Sequence, residues 1–410
     1  MAAMRLPTGE GLNLMTNPIA SERTLKALGD LAADAGIRRV HMLAWRDLDD
    51  PEAGGSEVHA DHIASLWAQA GIEVVHRTSY AAGKPTRTRR HGYEVVRKAG
   101  RYLVFPRSVV AELAGRNGHR DGLVEIWNGM PFMSPMWCRG PRSVWLHHVH
   151  GPMWAMTLPR NLAKAGVLLE ERLAPPFYRR TSIVTLSESS KHELVHALGF
   201  QADRVTVVEP GIDPKFTPGG RRSETPLVVA VGRLVPVKDV PRLVRIFAQV
   251  RHRVPAARLV VVGDGYERDR IDAEIQRCGV DGSVEMVGRI DDEQLIDLYR
   301  QAWTVSSMSV REGWGMTLTE AAACGTPAVA TNIAGHADAA PHDRSALLGD
   351  HDDELVDAMT AMLTDTALRE RLQRGALARA AELTWESAAI GTFRSLASDA
   401  VARRTGLASS

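Results

Sequence analysis

Short β-branched runs alternate with segments of helical period along most of the chain. Residues 40–45 (Val-His-Met-Leu-Ala-Trp) form an apolar run of strand length. Gly54, Gly55 and Ser56 follow after a short loop, and then Val58, Ile63, Leu66 and Trp67 recur on one helical face. Further strand-length runs lie at 72–76, 123–127, 143–148 and 182–186. Strand, loop, helix, strand is the succession that winds a parallel sheet with helices on both faces.

The second half repeats this pattern. Strands are predicted at 227–231, 258–262, 284–287, 304–306 and 327–330, with helices from Pro241 to about Val254 and from Arg268 to Cys278. Between the halves, Pro210, Gly211, Pro214, Pro218, Gly219 and Gly220 crowd one stretch of breakers, which reads as an interdomain linker. The chain of 410 residues is long enough for two cores. The expected architecture is α/β, with two Rossmann-like doubly wound domains facing each other across a cleft, residues 1–208 in the first and 209–387 in the second. No repeat of about 20 to 50 residues appears.

Composition narrows the function classes. A formal net charge of +1 sets a generally basic nucleic-acid binder behind other classes, and no nucleic-acid partner is expected. Cys138, Cys278 and Cys324 form no C-x-x-C pair, which speaks against a disulfide framework or a zinc site and fits a reducing cytoplasm. Residues 1–20 lack a basic segment followed by an apolar core, and no run of about 18 apolar residues occurs. Neither a signal peptide nor a spanning helix is therefore expected, and attachment to the inner face of a membrane stays open.

The chemistry concentrates in a few constellations. In residues 312–320, Glu-Gly-Trp-Gly-Met-Thr-Leu-Thr-Glu, glycines allow close backbone approach and a helix starting near Thr317 would aim free N–H groups at an anion. Glu312 and Glu320 could then hold hydroxyls on either side of a bound diphosphate. The competing reading is a capping box formed by Thr317 and Glu320. Arg233 and Lys238 stand five apart after a strand, and such paired cations suit a diphosphate, unless both are solvated surface charges. His147, His148 and His150 end a strand; His148 and His150 would share a strand face and could ligate a metal, or the imidazoles are simply buried. Gly263-Asp264-Gly265 starts like a dinucleotide fingerprint, but Arg268 stands where the third glycine belongs. Between Lys84 and Arg107, the basic residues Lys84, Arg87, Arg89, Arg90, Arg97, Lys98, Arg101 and Arg107 face the single acid Glu94, with Tyr93, Val95 and Phe105 interleaved. That segment reads either as a solvated loop plus a core-facing helix or as a basic amphipathic segment against an anionic membrane surface.

Taken together, these segments resemble the GT-B-fold retaining glycosyltransferases of family 4 (glycosyl transferases group 1). Residues 312–327 resemble the family's E-x7-E signature, and 231–239 its G-R-x-x-x-x-K-G element, with Asp239 where the usual glycine stands. By that resemblance Glu312 contacts the donor sugar and Glu320 the nucleotide ribose, and the amides of Gly315, Met316, Thr317 and Leu318 hold the diphosphate. Gly232, Arg233 and Lys238 accompany the leaving group, Gly55 belongs to a glycine loop closing over the phosphates, and the segment at Arg289 reads the base. His147 best matches the family's histidine near the anomeric centre, with His148 one residue away. Residues 332–338 depart from the family's Gly-Gly and Glu pattern. Trp385 opens a helix to about Arg403 that resembles the family's terminal helix, so 388–410 is expected to cross back onto the first domain. The resemblance implies transfer from a UDP- or GDP-sugar to an unnamed acceptor, with no metal and no further cofactor. A glycoside hydrolase using two carboxylates, a sugar-nucleotide epimerase and a non-catalytic nucleotide-sugar binding module are the rival readings.

Overall fold

The computed structural model describes residues 19–151, 153–157 and 159–406. Most of the stretch in which no signal peptide is expected lies outside the described residues. Eight strands build the first sheet: β1 (Arg39–Leu43), β2 (Glu73–Thr78), β3 (Arg87–Arg90), β4 (Tyr93–Arg97), β5 (Gly122–Trp127), β6 (Arg142–Leu146), β7 (Ser182–Thr185) and β8 (Val205–Val207). Their order is β3-β4-β2-β1-β5-β6-β7-β8, and every pairing is parallel except the β3–β4 hairpin.

Six strands build the second: β9 (Leu227–Val231), β10 (Arg258–Val262), β11 (Val284–Gly288), β12 (Thr304–Ser307), β13 (Ala328–Thr331) and β14 (Ala346–Gly349). All pair in parallel, in the order β11-β10-β9-β12-β13-β14. This is the doubly wound order in which strand succession reverses between the first and fourth strands, here β9 and β12. Such strands are covered on both faces, which is why Leu227-Val228-Val229-Ala230 is buried without alternation. The helix Val240–Arg253 buries Leu243, Val244, Ile246, Phe247 and Val250 against this sheet. Each such large apolar side chain contributes about 1.5–3 kcal/mol on burial.

The last helix, Trp385–Arg404, lies on the first sheet, not the second. Phe393 and Leu396 join the cluster of Trp67 and Trp145, and the Trp67 indole donates to the Ala389 carbonyl at 3.0 Å. Gly122 leaves room for Leu396, since a Cβ there would stand 3.0 Å from its side chain. This second cover explains why the helix Gly55–Gln69 is buried on nearly every side, including its polar residues His59, Asp61 and His62.

Three local expectations need correction. Residues 84–107 are neither a loop plus helix nor one amphipathic segment: they are the β3–β4 hairpin and the start of the helix Val104–Leu113. Tyr93, Val95 and Val96 belong to the buried interior, while Arg87 pairs with Glu94, Arg101 with Glu52, and Arg90 and Arg97 with Asp47 and Asp49. Strand β6 stops at Leu146, so His148 and His150 share no strand face. The helix after the glycines starts at Met316 and is capped by Gly315, so Thr317 sits inside it and no capping box with Glu320 forms.

Candidate active site

In each sheet the carboxyl ends of the strands flanking the reversal of order form the natural crevice for a ligand. In the first sheet that point lies between β1 and β5, and the Gly54–Gly55 loop follows β1. In the second it lies between β9 and β12, where Gly232 to Lys238 follow β9 and Glu312 to Met316 follow β12. The chain thus brings its glycine loop, its cations and its helix N-terminus to one place.

The glycine loop is firmly anchored. Asp47, fully buried, accepts from Arg90 at 2.9 Å and from Arg97 at 3.0 Å; Asp49 accepts from the same two arginines at 2.7 and 2.5 Å. Burial opposes ionisation of Asp47, yet Arg90 and Arg97 hold its carboxyl below the usual range. Gly54 N–H donates to Glu57 at 2.8 Å, and burial raises the Glu57 carboxyl although Arg46 lies 3.6 Å away. The arginines of the basic stretch therefore hold the loop that Gly55 belongs to.

Across the crevice, a Cβ on Gly55 would stand 2.8 Å from the Met316 sulfur, and one on Gly54 4.0 Å from the Arg233 guanidinium. Arg233 donates to the Glu52 carbonyl at 3.4 Å, and Arg289 to the Pro51 carbonyl at 3.4 Å. At the helix Met316–Ala323, the Leu318 amide is already engaged by the Gly315 carbonyl at 2.9 Å. Of the four amides expected to hold the diphosphate, Gly315, Met316 and Thr317 make no backbone hydrogen bond of their own among the described residues, with the positive end of the helix behind them.

Lys238 is ion-paired with Glu312, whose carboxylate also accepts from Ser309 at 2.8 Å. Burial raises the Glu312 carboxyl, but Lys238, His336 and Ser309 together hold the group below its ordinary value. Asp239 adopts the left-handed conformation, φ +41°, and its side chain accepts from Arg242 N–H at 3.3 Å as the cap of the next helix. The position asks for positive φ, which glycine meets without cost and aspartate tolerates. Here the carboxylate also serves a helix amide.

Glu320, released from any capping role, accepts from the Tyr299 hydroxyl at 3.2 Å, and burial raises its carboxyl to about 7. Gly313 sits against the first domain: a Cβ there would meet the His147 carbonyl at 2.6 Å and His148 Cβ at 3.1 Å. The departing segment at 332–338 has its own use. A Cβ on Gly335 would lie 2.4 Å from the Glu312 carbonyl, and Asp338 accepts from the Ser189 amide at 3.1 Å and from its hydroxyl.

The histidines separate. His147 is buried edge-on against His59, centroids 4.9 Å apart, and burial pushes its pKa well below the ordinary value. His148 is the one whose imidazole feels Glu312; burial lowers it to about 4 and Glu312 pulls the other way. His148 and His150 stack at 4.8 Å and 17°. Lone pairs in two nearly parallel ring planes cannot converge on one ion, and no group of three or more metal-ligating side chains occurs among the described residues. Residues the sequence reading passed over are Tyr299, Ser309, Asp47, Asp49 and Glu57, none of which carries a local signal; Gly313 and Gly335 were read only as members of their segments.

The family model for glycosyl transferases group 1 matches residues 212–379, and that for glycosyltransferase family 4 matches 53–216. The chain is 34% identical to a protein of Stackebrandtia nassauensis named D-inositol 3-phosphate glycosyltransferase, over 90% of this chain and 93% of that one. It is 29% identical to one of the same name from Kribbella flavida, over 88% and 96%. Among solved structures it resembles sucrose-phosphate synthase from Thermosynechococcus elongatus (TM-score 0.72, 19% identity, 91% of this chain and all of that one). It also resembles Anabaena HepE in complex with UDP-glucose (TM-score 0.66, 17% identity, 90% and 99%). At these identities the structures speak for the fold.

Proposed function

Since the chain belongs to the GT-B glycosyltransferases of group 1, family 4 type, we propose that it moves a sugar from a nucleotide-diphosphate donor to an acceptor hydroxyl, with retention at the anomeric carbon. The observation that carries this reading is the meeting of Gly55, Arg233 and the Met316 helix start at the reversal points of both sheets. The donor diphosphate lies against the Met316 and Thr317 amides, with Gly55 closing from the other side. As the nucleotide leaves, negative charge grows on its phosphate oxygens. Arg233, Lys238 and the helix end stabilise that charge, and groups already oriented do so without reorganisation.

Glu320 takes the ribose hydroxyls and Glu312 the sugar hydroxyls, displacing the Lys238 contact toward phosphate. His148, whose Cβ lies against Gly313 next to Glu312, takes the place beside the anomeric centre expected of His147. The HepE complex supports a uridine donor, and the names of the curated relatives make an inositol phosphate the first acceptor to try. Neutralisation by protein cations predicts turnover that survives EDTA; loss with EDTA and recovery with a divalent ion would reverse that point.

A thermal-shift panel of UDP- and GDP-sugars tests the binding half. A ligand of the folded state raises the melting temperature by mass action, by about 2.7 kcal/mol of stability at a hundred times Kd. One donor class should raise it in the wild type and fail to do so in Glu320→Ala. A flat response to every nucleotide sugar would contradict the reading.

A further inference from the structure

Residues 160–178 form one helical tract on the outside of the first domain: Arg160–Leu168, a π turn Leu169–Leu173 and Pro175–Tyr178. Its inner side is spoken for, with Ala163, Glu170, Ala174 and Tyr178 buried. Glu170 accepts the amides of His150 and Gly151 and the Trp154 indole, at 3.0, 3.2 and 2.8 Å. Its outer side is different. Leu162, Leu168, Leu173 and Phe177 are each about half exposed or more, and Met136 on the adjoining turn Ser134–Trp137 is 62% exposed. Leu162 precedes the buried Ala163 as Leu173 precedes the buried Ala174, and Phe177 follows Leu173 by four, so the three lie on one flank of the tract.

The tract and the two residues after it carry five cations: Arg160, Lys164, Arg172, Arg179 and Arg180. All are exposed, and none has an ion-pair partner among the described residues. The acids of residues 153–180 are Glu170, already engaged, and Glu171. In the hairpin stretch, by comparison, Arg87, Arg90, Arg97 and Arg101 are paired. Lys84, Arg89, Lys98 and Arg107 there are exposed with no ion-pair partner among the described residues, so three of them, Lys84, Arg89 and Arg107, are varied in the test.

We propose that this face docks the protein on an anionic lipid surface, with Leu162, Leu173, Phe177 and Met136 entering the headgroup boundary and the five cations meeting lipid phosphates. A helical tract that exposes both large apolar side chains and unpaired cations has the composition that binds such a surface. Two copies of the face would bring ten like charges together, which speaks against self-association as its purpose. Through Glu170 the docking face and the His148–Gly151 loop are two sides of one segment, so attachment sets the crevice at a fixed height above the lipid. The proposal does not depend on which sugar or acceptor is used.

Flotation of the full chain with vesicles of phosphatidylglycerol and phosphatidylcholine, against phosphatidylcholine alone, tests it at low and at high salt. Binding is expected with the anionic vesicles only, and it should weaken steeply as salt shortens the screening length. Arg172→Gln/Arg179→Gln/Arg180→Gln should lower the partition about a hundredfold, and Leu173→Ser/Phe177→Ser should release it too. Lys84→Gln/Arg89→Gln/Arg107→Gln, on the hairpin side, should leave it unchanged. Thermal melting shows whether each variant folds, and the comparison of vesicles and salt in the wild type stands without them. Equal recovery in the unbound fraction with both vesicles overturns the proposal. So does vesicle binding that the hairpin variant abolishes and the helical-tract variant keeps, or a tract variant that changes only the self-association of the protein.

Discussion

Gly55 and Met316 meet across the crevice, so closely that a Cβ on the glycine would stand 2.8 Å from the methionine sulfur. Gly55 is the first residue of its helix, where alanine fits the backbone well. Gly55→Ala is therefore expected to leave stability near wild type while pushing the Met316 thioether out of its place in the crevice. A misplacement of about 1 Å at a reacting centre can cost about a hundredfold, so kcat/KM should fall on that order. Adding Met316→Ala should restore part of the loss, a non-additive pair that steady-state kinetics on the single and double variants would reveal.

The Lys238–Glu312 pair is expected to divide its effects between binding and turnover. Lys238→Ala removes a cation from the leaving diphosphate and should cost about 2–4 kcal/mol of transition-state stabilisation, as loss of a charge-stabilising donor does. Arg233→Ala should behave alike. Glu312→Ala should lower kcat more than it changes the donor KM. Unchanged kcat at saturating donor in all three variants would mean that these groups do not face the reacting phosphates.

Glu320 predicts a pH dependence of nucleotide binding. In the free protein burial raises its carboxyl to about 7, so below that pH it is largely protonated. Ribose hydroxyls donating to it favour the ionised form, so binding must expel the proton. Affinity should rise about tenfold per pH unit up to about 7 and level off above. Titration calorimetry in buffers of different ionisation enthalpy should detect proton release near pH 6, and Glu320→Gln should abolish both effects.

Gly263 supplies a stability test outside the chemistry. A Cβ there would stand 1.9 Å from the Gly232 carbonyl, which has no flexible side chain to yield, and the backbone is at φ +134°. Gly263→Ala should cost about 1–3 kcal/mol, the range for a forced fit in a packed region. Denaturant unfolding would measure it, and an unchanged midpoint would contradict the close approach of β9 and β10.

The buried strands were legible because both faces are covered: Leu227–Val231 and Arg258–Val262 stand at the predicted bounds. Strand β3 was not, since Arg-Thr-Arg-Arg carries no apolar signal and lies at a sheet edge. Its Arg90 reads as free charge because its partners, Asp47 and Asp49, are some forty residues distant in sequence. The two glutamates of 312–320 were singled out by their local spacing. Tyr299 and Ser309 were not, because each reaches its glutamate from another element or turn. The sequence leaves the register open between His147 and His148 for a like reason: which ring packs on His59 depends on where β6 ends, which local spacing does not show.

The measurement closest to the central claim is release of nucleoside diphosphate from UDP- and GDP-sugars, with inositol phosphate and other hydroxyl acceptors, coupled to NMR of the anomeric proton in the product. One donor should give acceptor-dependent release and a product of the donor's own anomeric configuration, with release suppressed in Arg233→Ala. Acceptor-independent conversion of the sugar nucleotide, an inverted anomer, or full activity in Arg233→Ala would contradict the account.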